Sequence, residues 1–345
     1  MVRRMGMAAL AEAAGISIAT VDRALNGRGT VSPSTRTLIL DAALRIGHPA
    51  VARLEGREHK TPLPEVRFGI LLHKQGQDFY KAFAEELHRS ISRIQGIQGR
   101  LVLEFSTSQS PSEMAQNMRA MEGRCDILAA TAVNHIEITS AVEDLKSKNL
   151  RVISLLSDFA QGVRYGYLGL NNLKMGRTAG WVSALAAKGP GKLLLFVGGH
   201  RWHGHELREI GYRTYLREVA PQFEVLETII NLETRQLTYE TTLAALSRYP
   251  DLRGIYVAGG GMEGAIAAIR EVRVAGEIVL VCPALTAESR RGLAEGVVTL
   301  VSDTPLEKLC RELFDRMCRA VLQPNEAVDM GQVFLPPDIY LAESI

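Results

Sequence analysis

The sequence predicts an α/β protein in two parts: a small all-α unit, then a large body of parallel β-sheet covered by helices. Three observations predict it. The first aromatic residue is Phe68, and before it lie short helix-like runs broken by glycine, as in "AALAEAAGISIATVDRALNG" (Ala8–Gly27). The stretch "HKTPLPE" (His59–Glu65) carries two prolines that disfavour helix, and it reads as a linker. From Val66 onward, short apolar runs alternate with helical stretches, the pattern of parallel strands buried on both faces. The chain of 345 residues has room for two or three compact units, and the body for two sheets.

The first helix is predicted over Met7–Ala14, closed by Gly15 as a C-cap. Ser17 is an N-cap for a second helix from Ile18 to about Leu25. "NGRG" (Asn26–Gly29) is a loop. Ser32 caps a third helix with Pro33 in its first position, running to Ile46, where Gly47 and Pro49 stop it. Leu10, Ala14, Ile16, Val21, Leu25, Val31, Leu38 and Leu44 are the expected core of this unit. In the body the predicted strands are "VRFGILL", "LVLEF", "CDILAAT", "RVISLL", "YGYLGL", "KLLLFVGG", "GIYVAGG", "IVLVC" and "VVTLVS". Predicted helices between them include 79–93, 112–122 and 206–219.

Charge separates the two parts. Residues 1–57 hold eight Arg against four Asp or Glu, a net +4. The rest of the chain holds 32 basic and 34 acidic residues, a net −2. A basic front on a mildly acidic body suggests a polyanion-binding module. No apolar run reaches the roughly 18 residues of a membrane span, and Glu12 and Gly15 interrupt any signal-peptide core. A cytoplasmic protein is expected. Cys125, Cys282, Cys310 and Cys318 are scattered and fit neither a metal motif nor a disulfide framework; they are expected as small buried hydrophobes.

Two helices joined by a tight glycine turn, the second with an exposed polar face, form a helix-turn-helix, whose second helix enters the DNA major groove. "LAEAAGISIATVDRALNG" followed by "VSPSTRTLILDAALRIG" resembles the headpiece of the LacI/GalR family of bacterial transcription regulators. That headpiece reads like "VAxxAGVSxxTVSRVLNxxxxVSxxTRxxVxxAxxxLGY". The body resembles the family's effector domain, a two-lobed, periplasmic-binding-protein-like unit of two Rossmann-like parallel sheets. The resemblance implies a headpiece over 1–48, a hinge and linker over 49–65 and an effector domain over 66–345. Its N-lobe would span about 66–170 and 303–331, its C-lobe about 171–302 and 332–345.

By the same resemblance, Ile18 and Ala19 occupy base-reading places, and Arg23 the arginine that reaches a guanine edge. Ser17, Thr20, Asn26, Ser32 and Thr35 fall where polar groups contact phosphate. Asp22 replaces the usual serine, a carboxylate that Arg23 or Arg28 would have to screen. "PAVARLEG" (Pro49–Gly56) matches the hinge helix, with Leu54 as the apolar wedge for the minor groove.

In the body, the resemblance sets aromatic Phe79 and Tyr80 against a sugar ring, and Ser157 and Asp158 at a strand end. "LGLNNLKMGRTAG" puts Asn171 at the family's aspartate. "HGHELREIGY" puts Arg208 at the arginine that grips effector hydroxyls or a carboxylate in its planar fork. His203, His205, Gly261 and Asp303 complete the expected ligand set. Leu156–Ser157 and Cys282–Ala284 stand where many sugar-binding members have acids, so the pocket is expected to be less acidic than a hexose site.

Two other chemistries compete. "GGGMEG" (Gly259–Gly264) fits a dinucleotide fingerprint, yet the next strand ends at Cys282–Pro283 without the acid that would hold a ribose. "HRWHGHE" (His200–Glu206) offers three histidines and a glutamate, without the HExxH spacing of a helical zinc site. The alternative is therefore an α/β enzyme using a nucleotide or metal, with a helical N-terminal extension. The preferred expectation is a homodimeric LacI-type regulator, most simply a repressor of a carbohydrate or polyol catabolic operon. It would bind double-stranded operator DNA and a small sugar, polyol or sugar acid, with no cofactor, no metal, no membrane and no catalytic residues.

Overall fold

A computed structural model describes residues 6–26, 31–51, 54, 63–323 and 330–345. The chain divides into two units, Met1–Pro64 and Glu65–Ile345. In the first, α1 (Met7–Ala14), α2 (Ile18–Asn26) and α3 (Pro33–Arg45) pack around a small aliphatic core. Gly15, at φ +65°, closes α1. The Ser17 hydroxyl accepts the Thr20 N–H at 3.2 Å and starts α2. Ser32 does the same for α3, accepting the Thr35 N–H at 3.2 Å. Leu38 and Leu44, expected inside, are 44% and 54% exposed. The inward stripe of α3 is instead Ile39, Ala42, Ala43 and Ile46. That i, i+3, i+4, i+7 row leaves the two leucines off the buried side.

The second unit holds two sheets. In the first, β1 (Glu65–His73), β2 (Gln98–Ser106), β3 (Ile127–Ala130), β4 (Val152–Leu155), β5 (Gly166–Leu170) and β12 (Gly331–Leu335) run parallel in the order β12-β5-β4-β3-β1-β2. Alternate residues of β1 feed opposite cores. Phe68, Ile70 and Leu72 pack with α4 (Asp78–Ile91) and α12 (Leu306–Leu322). Leu71 packs with α5 (Pro111–Arg119) and α6 (Ile136–Ser147). Each such side chain, fully buried, contributes about 1.5–3 kcal/mol.

The second sheet combines β6 (Gly191–Val197), β7 (Phe223–Val225), β8 (Ile229–Ile230), β9 (Leu252–Val257), β10 (Val279–Cys282), β11 (Leu300–Asp303) and β13 (Asp338–Tyr340). Its order is β13-β11-β10-β9-β6-β7, with β8 also on β6; β13 alone is antiparallel to its neighbour. One face carries α7 (Asn172–Ala186) and α8 (His203–Val219), the other α9 (Arg235–Arg248), α10 (Met262–Val272) and α11 (Ala287–Ala294). The lobe boundaries differ from the expectation at one strand. Residues 332–335 extend the first sheet through β12 rather than joining the second lobe, because β12 pairs with β5. Cys125, Cys282 and Cys310 are buried and Cys318 partly so.

Candidate functional site

In the headpiece, burial of Val21, Ala24 and Leu25 fixes which side of α2 faces outward. Ser17, Ile18, Ala19, Arg23 and Asn26 are exposed and Thr20 half-buried, so this side of the helix is free for a groove. Ile18 is 51% exposed and takes no place in the core. The Arg23 guanidinium lies along the helix, donating to Ala19 O at 3.2 Å and Thr20 Oγ1 at 3.3 Å. Asp22 is engaged by Asn26, whose amide donates to Oδ1 at 2.5 Å; Arg28 lies outside the described residues. The exposed Asn26, expected at phosphate, stands beside the acid in the last turn of α2. Ser32 is exposed and Thr35 half-buried at the start of α3.

Leu54 departs from its expected place. It is 2% exposed and packs in the headpiece core, its N–H donating to Ala50 O at 2.9 Å in a helical turn. Burial against other apolar groups is the favourable place for an aliphatic side chain. The rest of the expected hinge, 52–53 and 55–56, lies outside the described residues.

In the body, the C-terminal ends of strands from both sheets open onto one cleft of about 310 Å³. This is where open α/β sheets bind ligands. Phe79 and Tyr80 enter from the start of α4, edge to face with centroids 5.2 Å apart. Thr131 follows β3, and Leu156 and Ser157 follow β4. Asn172 stands at the head of α7; Trp202, Gly204, His205 and Arg208 stand at the head of α8. Glu233 follows β8, Gly259–Gly261 follow β9, Pro283 follows β10 and Thr304 follows β11.

Arg208 is aimed by two neutral acceptors. Its Nε donates to Asn172 Oδ1 at 2.8 Å, and one terminal nitrogen donates to Ala258 O at 2.7 Å. The absence of a side chain at Gly176 lets α7 approach this turn, since a Cβ there would lie 1.9 Å from Arg208 O. Ser157 accepts the Gly204 N–H at 3.1 Å. The Thr131 hydroxyl is buried with no hydrogen-bond partner. His205 accepts the Gly198 N–H on Nδ1 at 3.2 Å and presents Nε2 to Glu233 at 3.7 Å. Burial pushes the His205 imidazole down to about 4, despite the attraction of Glu233. Burial likewise pushes His73, whose ring lies 5.4 Å from that of Trp202 and tilted to it, down to about 4.

Of the expected ligand residues, Phe79, Tyr80, Ser157, His205, Arg208 and Gly261 line the cleft. Four do not. Asp158 is turned into the first lobe and ion-paired with Arg164 at 2.5 Å, with Ser154, Gln161 and Gln332 also donating to it. Burial opposes its charge, but the bonds from Arg164, Ser154 and Gln332 hold the carboxyl below its ordinary range. Asn171 caps α7, accepting the Lys174 N–H at 3.1 Å, and the next residue, Asn172, takes the cleft position. His203 pairs with Glu206 at 3.1 Å. Asp303 lies behind Thr304, whose N–H it accepts at 2.8 Å, and burial pushes its carboxyl up to about 6.

Sequence reasoning missed Gln77, Thr131, Trp202 and Glu233. Thr131 ends a recognisable strand and could have been found there. Glu233 carries no such signal. Among the described residues, no group of three or more His, Cys, Asp or Glu could hold a metal ion. Nor does any helix among them have the length and apolarity to cross a membrane.

Residues 7–48 match the family model for bacterial regulatory proteins of the lacI family. Residues 68–308 match the periplasmic binding protein domain. No curated protein matches the chain. Several solved structures share the fold. A periplasmic solute binding protein of an ABC transporter from Actinobacillus succinogenes, with bound D-allose, is 15% identical at a TM-score of 0.72, covering 81% of this chain and 98% of that one. A solute binding protein from Burkholderia graminis, in complex with D-arabinose, is 16% identical at 0.73, covering 81% and 96%. One from Agrobacterium vitis, bound with alpha-D-tagatopyranose, is 14% identical at 0.71, covering 81% and 95%. A regulator's headpiece joined to a binding-protein body is not an enzyme's architecture. The chain belongs to the lacI family of bacterial regulatory proteins, with a helix-turn-helix headpiece ahead of a periplasmic-binding-protein domain.

Proposed function

We propose that this regulator binds a pseudo-palindromic operator as a homodimer and that a small polyhydroxylated effector in the cleft changes its operator affinity. It acts in the cytoplasm as a repressor of a carbohydrate or polyol catabolic operon. The observation that carries the effector reading is Arg208. Among the described residues no carboxylate pairs with its guanidinium, and it shares the cleft with the aromatic Phe79 and Tyr80. Aromatic faces suit the C–H side of a sugar ring. Arg208 and the open Thr131 hydroxyl suit its oxygens, since buried polar groups need partners. The bound sugars in the three related folds support the same class of ligand. The ligand can shift operator affinity only by binding two states of the body unequally, a coupling of about 1–3 kcal/mol in typical cases.

The test has two arms. Genomic DNA fragments selected by the full-length protein should contain inverted half-sites, as two symmetric headpieces require. A thermal-shift screen of sugars, polyols and sugar acids should return a ligand that changes the affinity for those fragments. Selection of no specific DNA would defeat the regulator reading. Ligands that raise the melting temperature without changing DNA affinity would defeat the coupling.

A further inference from the structure

One charged residue of α2 has no task in the helix-turn-helix described so far. Asp22 lies in the middle of the helix, next to Arg23. Val21, Ala24 and Leu25 turn the opposite side into the core. That leaves Asp22 half-buried at the rim of the outward side, between exposed Ile18 and exposed Asn26. A spacing of four sets these three residues in one row along the helix.

The carboxylate is held but not neutralised. Asn26 donates to its Oδ1 at 2.5 Å and leaves Oδ2 open to a further donor. Arg23, the adjacent cation, leans to the other side of the helix, onto Ala19 O at 3.2 Å and Thr20 Oγ1 at 3.3 Å. Among the described residues no ion pair engages Asp22.

An ionised carboxylate only accepts hydrogen bonds. Brought to a duplex, it is repelled by phosphate and can be satisfied only by a base edge that donates. The major groove offers two such edges, the N4 amine of cytosine and the N6 amine of adenine. Guanine presents O6 and N7, and thymine O4 and a methyl group, none of them a donor. Adenine's amine stands beside N7, an acceptor that opposes a carboxylate; cytosine's amine has no such neighbour. Arg23 is the complement, a donor-only group suited to guanine O6 and N7. Successive residues rise about 1.5 Å along a helix and base pairs about 3.4 Å along a duplex, so the two side chains reach the same pair or neighbouring ones.

We infer that Asp22 reads a cytosine amine in each operator half-site, in the base pair contacted by Arg23 or the one beside it, with Asn26 fixing the carboxylate. The inference rests on the regulator reading and adds the base that the acid selects. On every other sequence the same charge stays near phosphate without a donor, so it rejects wrong sites as well as accepting the right one.

The test uses full-length protein to select duplexes from a random-sequence library, followed by competition gel shift with each base of the half-site substituted in turn. Wild type should prefer cytosine at one position, at or beside the guanine that Arg23→Ala relaxes, by roughly ten-fold over thymine or guanine. Asp22→Ser should erase that preference and keep the guanine. Asp22→Asn should turn it from cytosine to adenine, because an amide pairs with N6 and N7 together. Circular dichroism establishes that each variant is folded, and either one alone decides the question. If Asp22→Ser bound every duplex tighter by one common factor, with base preferences unchanged, Asp22 would be assigned to phosphate and the inference overturned. A wild-type half-site without cytosine in that window would overturn it too. Selection of no specific duplex by wild type would bring down the regulator reading itself, and the inference with it.

Discussion

Replacing Arg208 by alanine should separate effector response from DNA binding. The side chain makes two charge-assisted bonds inside the body, to Asn172 Oδ1 at 2.8 Å and Ala258 O at 2.7 Å, and in the proposed complex its remaining donors face the ligand. A hydrogen bond from a charged donor contributes about 1.5–3 kcal/mol. Losing one such contact with effector therefore weakens binding roughly 10- to 150-fold, at 1.4 kcal/mol per factor of ten. The internal bonds are lost too, which costs the body about 1–3 kcal/mol and lowers its melting temperature by several degrees. None of this touches Ile18, Ala19 or Arg23, which belong to the separate unit Met1–Pro64.

The assay is operator binding measured by fluorescence anisotropy across a titration of effector found by thermal shift. Wild-type protein at 100 times the dissociation constant should gain about 2.7 kcal/mol of stability. The Arg208→Ala protein should bind unliganded operator as wild type does, with its effector response displaced to 10- to 150-fold higher concentration. Arg208→Lys keeps the charge but loses the planar fork and should fall between them. An unshifted effector response in Arg208→Ala would refute the assignment of this residue. Loss of unliganded operator binding in a folded variant would refute the separation of the two roles.

Three further outcomes follow from the geometry. Arg23→Ala should cost about 1–3 kcal/mol of specific operator binding and relax the preference at one base pair, read by competition gel shift; a uniform loss over all sequences would assign Arg23 to phosphate instead. Leu54→Ala should destabilise the free headpiece by about 2–5 kcal/mol, because the leucine is buried in its core; an unchanged denaturation midpoint without DNA would show that it serves only as a wedge. His73 is buried with both ring nitrogens unpartnered and is pushed down to about 4 by burial, so the unfolded chain takes its proton first as pH falls from 6.5. That sign makes the body lose stability on acidification between pH 6.5 and 4, by about 3 kcal/mol for this group. His73→Phe should flatten the slope in melting temperature over that window; an unaltered slope would exclude His73 as its source.

The headpiece was largely legible because its signals are local. Gly15, Ser17 and Ser32 act within a turn of where they stand, and the structure uses each as the cap expected. The errors came where a choice depends on neighbours in space. Leu38 and Ile39 are both aliphatic and adjacent, and only the approach of α1 and α2 decides which one is buried. Leu54 has the same ambiguity: an apolar residue beyond α3 reads equally as wedge or as core, and the structure packs it in the core.

The cleft was legible at strand ends and illegible where the backbone is irregular. Phe79, Tyr80, Ser157 and Arg208 each lie at an end of a strand or helix that apolar periodicity had already located. Asp158 and Asn171 are each one residue from a cleft position. Side chains next to one another at a strand end point to opposite sides, so a shift of one exchanges a ligand contact for an internal ion pair or a helix cap. Glu233 lies beyond that kind of error. It follows a two-residue strand, and its left-handed backbone is set by Asn231 beneath it and by Lys74 and Gln77 on the opposite lobe, about 156 positions away in sequence. Nothing in "INLETRQ" announces a turn that needs a partner lobe to hold it. Only "GGG" at 259–261 hinted at it: glycines there leave room for something to come close, and what comes close is the chain's own glutamate and glutamine.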